Sequence, residues 1–313
     1  MNIPAKTDAM IFDVQGFSTH DGAGGRTVVF MKGCPLRCGW CSNPEGLSPH
    51  PGLMFLTSRC RPGCSRCVDS CGCSGVRQNG NIVEFDRTVC NDCTQHLCVQ
   101  SCPTGALRVA GRRIGLDELM RILERDRDFW GPGGGVTFTG GEPLMQAGFL
   151  ISALNLCRES YIDTAVETSA SCDPGGLLEA ARLTDWLFID IKHMDPVGHR
   201  AGTGVDNTAI ISNISSIARS GWSGRLIVRV PVIPGFNDTF ENMDHTAVFM
   251  QEHGLLEINL LPFHRLGESK YAQLGIDHKY RNIPAVEESD LLKFAHVFES
   301  RGIACHIGSN TPF

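Results

Sequence analysis

Six short runs rich in β-branched and other apolar residues recur along the chain: TVVFMKG (27–33), GGVTFTGG (134–141), DTAVETS (163–169), DWLFIDIK (185–192), RLIVRVPVI (225–233) and LEINLLPFH (256–264). Their near-continuous Val, Ile, Leu and Phe content predicts strands covered on both faces, as in a parallel sheet. Between them, apolar positions fall at helical spacing in LDELMRILERDRDF (116–129), GFLISALNLCRES (148–160), GGLLEAARL (175–183), TAIISNISSIARSG (208–221) and FENMDHTAVFMQEHG (240–254). A last helix is predicted over ESDLLKFAHVFESRG (288–302). Asp117 and Glu118 sit in the opening turn of the first helix, where negative charge suits the helix dipole. Gly221 and Gly254 stand where C-terminal caps belong. The alternation predicts an α/β fold, either a doubly wound sheet or an incomplete barrel.

Polar residues cluster at one end of these strands. At or just past the strand ends come, in order, a loop with three cysteines, Thr139-Gly140-Gly141-Glu142, Glu167-Thr168-Ser169, Asp190-Ile191-Lys192, Arg229 and His264. Strand C-termini in α/β folds share one rim, and ligands bind there. These residues are therefore expected to face a common site.

Composition narrows the function. A chain of 313 residues with 42% hydrophobic and 20% charged residues reads as a soluble globular protein. A net charge of −6 gives no general attraction to nucleic acid or to an anionic membrane. No apolar run approaches the ~20 residues of a membrane span. The opening MNIPAKTDAMIFD lacks the apolar core of a signal peptide, so a cytoplasmic location is expected.

Fifteen cysteines then need a reason. In a reducing compartment they serve metals more often than disulfides. Nine fall between Cys60 and Cys102, which marks an inserted unit over 55–110 within a main domain of 1–54 and 111–313. Cys60, Cys64, Cys67 and Cys71 form one run; Cys90, Cys93, Cys98 and Cys102, followed by Pro103, form another. Both approximate the four-cysteine ferredoxin run, in which the last cysteine ligates the other cluster. Cys60, Cys64, Cys67 and Cys102 would then hold one [4Fe–4S] cluster, and Cys90, Cys93, Cys98 and Cys71 a second. Cys73 is a spare thiol near Cys71 and an alternative to it. Four-thiolate zinc sites are the competing reading. Cys157, Cys172 and Cys305 are expected to be inert.

MKGCPLRCGWC (31–41) spaces Cys34, Cys38 and Cys41 by three and then two residues. Three thiolates fall one short of a structural zinc site, unless an imidazole completes it. This spacing, with TGGEP (139–143) on the next strand, resembles the signature of the radical S-adenosylmethionine (SAM) superfamily. The resemblance implies a third [4Fe–4S] cluster whose fourth iron is left for the amino and carboxylate groups of SAM. It implies cofactor contacts from Trp40, Gly140, Gly141, Glu142, Glu167, Thr168, Ser169, Asp190, Lys192 and His264. The glycines would let the backbone approach the SAM amino group, Glu142 would contribute there or orient the turn, and Lys192 would pair with the SAM carboxylate.

STHDGAGGRTVVFMKGC resembles the segment before the cluster in glycyl radical enzyme activating enzymes, which abstract a hydrogen from a backbone glycine of a partner. That family implies a partial (β/α)6 TIM-like barrel with a ferredoxin-like insert carrying two clusters. MIFDVQGFSTHDG, FIDIKHMD, GRLIVRVPVIPGFND, EINLLPFHRLGESK and IACHIGSNTPF bring the chain nearest to the activators of arylacetate (4-hydroxyphenylacetate-type) decarboxylases. The partners implied are a glycyl radical enzyme, met by Asp21 and by Arg229, and a ferredoxin or flavodoxin donor, the protein itself being a monomer. Ala23 and Gly25 depart from the family's DGPGIR pattern, and a looser loop is expected there. Activation of another glycyl radical lyase or dehydratase, radical chemistry on a small molecule, and an electron-carrier or zinc module are the rival readings.

Overall fold

The computed structural model describes residues 6–308; the outer ends of MNIPAKTDAMIFD and IACHIGSNTPF lie outside the described residues. β1 (Asp8–Ser18) and β2 (Arg26–Met31) pair antiparallel. The cysteine-rich segment follows, with β3 (Gly52–Phe55), α1 (Arg66–Asp69), β4 (Val76–Asn79), β5 (Ile82–Phe85), α2 (Arg87–Asp92), α3 (Leu97–Gln100) and β6 (Leu107–Ala110). β7 (Arg112–Gly115) returns beside β1 and leads into α4 (Leu116–Asp126). Strands and helices then alternate through β8 (Gly135–Gly140), α5 (Ala147–Glu159), β9 (Asp163–Thr168), α6 (Pro174–Ala181) and β10 (Trp186–Asp190). α7 (Pro196–Thr203), α8 (Thr208–Arg219), β11 (Arg225–Val232), α9 (Phe240–Glu252), β12 (Glu257–Pro262), α10 (Glu268–Leu274), α11 (Glu288–Glu299) and β13 (Ala304–Ile307) complete the order.

The main sheet runs β13-β12-β11-β10-β9-β8-β2-β1-β7. β2 and β8 to β13 are parallel, while β1 and β7 add an antiparallel edge. All six predicted strands form, and β13 extends the parallel set beyond them. Right-handed crossovers that always step the same way leave their helices on one face. There Val29, Phe138, Val166, Ile189, Val230 and Leu260 meet Leu123, Phe149, Leu154, Ile214, Met250 and Phe298 in one buried core. Each such side chain contributes roughly 1.5–3 kcal/mol by leaving water. The other face is also buried but mixed, carrying Arg26, Thr137 and Arg229 beside an apolar cluster of Ala165, Phe188 and Ile227. Two covered faces explain why the strands read as continuous rather than alternating.

Local signals end the elements where expected. Asp173 and Asp195 precede a proline and cap α6 and α7 by accepting from the Gly176 and Gly198 amides. Gly221 and Gly254 take positive φ just past α8 and α9.

The cysteine-rich segment is closed at its base by a ribbon of β3 and β6, with Gly52 opposite Ala110 and Phe55 opposite Leu107. The expected boundary between residues 54 and 55 thus falls inside β3. Above the ribbon, β4 and β5 form a hairpin. Its core is small, Leu53, Val76, Val83 and Leu107 packed with Cys67, Cys90 and Cys98. So little apolar burial ordinarily needs a metal or cross-link to stay folded.

Candidate active site

The three-cysteine loop leaves β2 and is stitched to its neighbours by backbone bonds. Gly33 N–H donates to the Gly46 carbonyl at 2.8 Å, and Cys34 N–H to the Leu47 carbonyl at 3.2 Å. The turn after β8 joins it from the other side: Gly141 N–H donates to Met31 O at 2.8 Å and Glu142 N–H to Gly33 O at 2.6 Å. This contact explains both glycines. A Cβ on Gly140, whose φ is +123°, would fall 2.3 Å from the Met31 backbone, and one on Gly141 would fall 2.2 Å from the Gly33 carbonyl oxygen. The side-chain-less positions thus face the cysteine loop, a protein contact where the sequence suggested a cofactor contact alone.

Cys34, Cys38 and Cys41 line a cavity of about 250 Å³ together with Trp40, Gly140, Gly141, Glu167, Thr168, Ser169, Asp190, Lys192 and Arg229. Burial pushes the Cys34 and Cys38 thiols up to about 12 and raises Cys41 in the same direction. Thiols so shielded give up their protons when a cation replaces them. Among the described residues, no three Cys, His, Asp or Glu side chains converge on a single ion. Three thiolates lining one cavity are the donor type that an iron–sulfur group takes.

Glu142 is fully buried but does not line that cavity. Its carboxylate accepts from Leu144 N–H (3.2 Å), Thr168 Oγ1 (2.7 Å), Ser169 N–H (2.9 Å) and Ser169 Oγ (2.6 Å). Burial raises its pKa and these donors oppose the rise. Glu142 is a brace between the turn after β8 and the end of β9, rather than a group facing a ligand.

Lys192 is buried and paired with Asp190. Burial alone would lower its pKa, but Asp190 and the Cys38 and Cys34 thiols hold it above the ordinary lysine value. Asn237, which the sequence reading did not single out, anchors this strand end. Its side chain donates to Lys192 O at 2.8 Å and Pro231 O at 2.7 Å, and accepts from Ile233 N–H at 2.7 Å. The only signal was an asparagine within a turn-forming PGFND stretch.

Glu167 accepts from Thr139 Oγ1 at 2.8 Å and pairs with Arg229, whose guanidinium lies 3.9 Å from the Phe188 ring centroid. Arg229 is 8% exposed, so it is not a solvated strand-end charge. Its Nε is buried with no partner. Trp40 packs on Phe236 (4.6 Å between centroids) and Tyr280 (5.8 Å), and also borders the cavity.

A second cavity of about 570 Å³ adjoins the first, sharing Trp40, Ser42, Arg229, Pro231 and Leu261. Asp21 and His264 line this one and not the first. His264 is exposed, which separates it from the other expected cofactor contacts.

The loop carrying Asp21 is held firmly. Arg26, wholly buried, pairs with Asp163 at 2.9 Å and donates to Thr137 Oγ1 (2.8 Å), Ala23 O (3.1 Å) and Val136 O (2.9 Å). Thr137 Oγ1 in turn donates to Asp21 O at 2.7 Å. Gly24, at φ +64°, and Gly25 lie so close to Gly134 and Phe129 that a Cβ would reach 2.5 Å and 2.9 Å from their backbone atoms. At Gly25 the loop is packed tightly enough that the small residue is required, which runs against the expected loosening at that position.

In the insert, Cys60, Cys64, Cys67 and Cys102 line one cavity, and Cys71, Cys73, Cys90, Cys93 and Cys98 line another. Cys73 Sγ lies 3.7 Å from Cys71 Sγ. Cys157 is buried in the main core.

Comparison with known proteins agrees with this geometry. Residues 28–247 match the radical SAM superfamily. The chain is 45% identical to the 4-hydroxyphenylacetate decarboxylase activating enzyme of Clostridioides difficile (strain CD196), covering 100% of both proteins. It is 36% identical to the indoleacetate decarboxylase activating enzyme of Tractidigestivibacter scatoligenes, over 98% of this chain and 99% of that one. The fold also resembles that of Streptococcus suis SuiB bound to precursor peptide SuiA, with a TM-score of 0.55 at 13% identity, over 90% of this chain and 48% of SuiB. With a cluster-type cysteine loop laid against a glycine turn and relatives matched end to end, the chain belongs to the radical SAM superfamily and to its activating enzymes.

Proposed function

We propose that this enzyme activates a glycyl radical enzyme by removing one hydrogen atom from a backbone glycine, and that its partner is a 4-hydroxyphenylacetate or related arylacetate decarboxylase. The 45% identity along the full length of such an activating enzyme carries the reading. The three cysteines facing one cavity supply its chemistry.

In this reading residues 1–54 and 111–313 form a partial barrel, and 55–110 a ferredoxin-like insert. Cys34, Cys38 and Cys41 hold a [4Fe–4S] cluster that leaves one iron for SAM. When bound and reduced by one electron, the pair supplies methionine and a 5′-deoxyadenosyl radical able to take the hydrogen. Gly140 and Gly141 present main-chain groups to the SAM amino group, and Lys192 meets its carboxylate. Thr168, Ser169 and the Glu167–Arg229 pair border the nucleoside side, with Trp40 at the junction of the two cavities. Asp21, in the adjoining cavity, faces the incoming glycine loop. Glycine suits this role because no side chain obstructs its entry.

The insert relays electrons inward from a ferredoxin or flavodoxin through two further clusters, one on Cys60, Cys64, Cys67 and Cys102, the other on Cys71, Cys90, Cys93 and Cys98. Among the described residues no helix is long and apolar enough to cross a membrane. The deciding experiment mixes reconstituted protein, SAM and reductant with candidate decarboxylases. Electron paramagnetic resonance (EPR) should show a glycyl doublet with the arylacetate decarboxylase; a doublet only with another lyase would reassign the partner. SAM cleavage that never yields a protein radical would remove the activase reading.

A further inference from the structure

The insert presents two electrically different faces. Arg61 and Arg66 line the cavity of Cys60, Cys64, Cys67 and Cys102. Arg59 lies over the turn that follows Cys102, where a Cβ on Gly105 would fall 3.9 Å from Arg59 Nη1. All three arginines are exposed, and among the described residues none of them joins an ion pair. The acid in residues 55–69 is Asp69, which accepts from Ser65 Oγ at 2.8 Å. Around the cavity of Cys71, Cys73, Cys90, Cys93 and Cys98 the balance reverses. Asp92 lines it, Asp86 caps α2, and Arg87 is turned inward onto Gln273 O at 3.1 Å. Arg77 and Glu84 stand opposite each other in the hairpin and offset.

The two cavities also differ in depth. β3 rises from the main domain, and its Leu53 lines the second cavity while its Phe55 lines the first. Two residues of strand place Phe55 about 7 Å further out than Leu53. α2, with Cys90 in it and Cys93 at its end, abuts α10: a Cβ on Gly275 would fall 3.0 Å from Arg87 Nε. α10 is in turn fixed to the segment after Cys41, where Lys270 Nζ bonds Asn43 Oδ1 and Glu45 Oε1, each at 2.7 Å. The second cavity therefore lies toward the three-cysteine loop, and the first lies outward with the arginines.

The chain as a whole carries a net charge of −6, which repels an acidic protein at long range. A local basic face then decides where such a protein is held and in which orientation. We propose that Arg59, Arg61 and Arg66 form the docking face for a small acidic electron-carrier protein, whose electron enters at the Cys60/Cys64/Cys67/Cys102 cluster. One electron leaves the carrier, reduces that cluster, and passes to the cluster on Cys71, Cys90, Cys93 and Cys98 and then to the SAM-binding cluster. The carrier is left oxidised by one electron. The inference deepens the relay reading above and rests on it.

The test follows reduction of the reconstituted holoenzyme in stopped flow by an acidic flavodoxin in its hydroquinone form, read by the rise of the flavodoxin semiquinone. Arg59→Gln, Arg61→Gln and Arg66→Gln together should slow the second-order rate about tenfold at low salt, and the wild-type rate should fall steeply as salt is added. Iron content, and reduction by the uncharged photogenerated 5-deazariboflavin radical, should not change. Arg121→Gln, Arg158→Gln and Arg182→Gln together remove the same charge from the main domain and should stay within about twofold of wild type. Lysine substitutions at the three insert positions keep the charge and should keep most of the rate. A salt-independent wild-type rate, equal slowing in the two glutamine proteins, or full slowing in the lysine protein overturns the docking face. If a Cys90→Ala, Cys93→Ala protein passes electrons from flavodoxin to its SAM-binding cluster at the wild-type rate, the relay reading fails instead, whatever the arginines do.

Discussion

Replacing Glu142 separates a structural brace from a ligand contact. Its carboxylate accepts four hydrogen bonds, two of them from backbone amides that cannot turn away. Glu142→Ala strands the Leu144 and Ser169 amides and the Thr168 and Ser169 hydroxyls in a buried space. The hydroxyls rotate to new partners, while each stranded amide costs about 1–3 kcal/mol. Adding the void left by the side chain, a loss of about 3–5 kcal/mol is expected, within the range for breaking a buried charged network. Glu142→Gln keeps one oxygen for Ser169 and brings its NH2 against the Leu144 amide, so about 1–2 kcal/mol is expected. In thermal unfolding of the apoprotein, 3–5 kcal/mol corresponds to a fall in Tm of about 5–8 °C, at ~2.1 cal/mol/K of unfolding entropy per residue over 313 residues. Apoprotein is the right state, because no SAM is present to confuse a brace with a ligand. If Glu142→Ala unfolds within a degree of wild type yet fails to bind SAM, the carboxylate serves the ligand and the structural argument is refuted.

Three further outcomes follow from the same contacts. Gly141→Ala forces a methyl group against the Gly33 carbonyl and should cost about 1–3 kcal/mol while loosening the cysteine loop; iron content of the purified protein should drop accordingly. Arg26→Ala leaves Asp163 without its buried partner, with an expected loss of about 3–5 kcal/mol by chemical denaturation, and Arg26→Lys should recover only part of it because five donors become three. Cys73→Ala should keep the iron count of wild type, whereas Cys71→Ala should lose about four irons per chain; equal losses would make Cys73 a ligand.

The strands that carry the site were legible because burial on two faces writes itself as continuous apolar sequence. β7 was not: of its four residues only Ile114 is buried, too little for any period to emerge. β13 is as short, and β1 breaks its alternation with bulges against β2. α7 did carry a signal, Asp195 followed by Pro196, which a stricter reading of helix starts would have used. At the site, residue types and strand ends indicated which side chains share a rim. They did not indicate which way each one turns. Glu142 faces Thr168 and Ser169 instead of the cavity, and the glycines of the same turn make room for Gly33 and Met31. Main-chain atoms set both outcomes, and sequence does not display their positions. Arg26 is the same case: four of its partners are carbonyl oxygens.

The ribbon at the base of the cysteine-rich segment has an architectural consequence. Because β3 and β6 are antiparallel neighbours, with Leu56 N–H donating to Ala106 O at 2.7 Å, the chain departs and comes back at adjacent points. Such a graft can be excised or exchanged as a cassette, a tight turn sufficing to rejoin the cut ends while the flanking scaffold keeps its register. Chimaeras that exchange this segment have a natural suture at that seam.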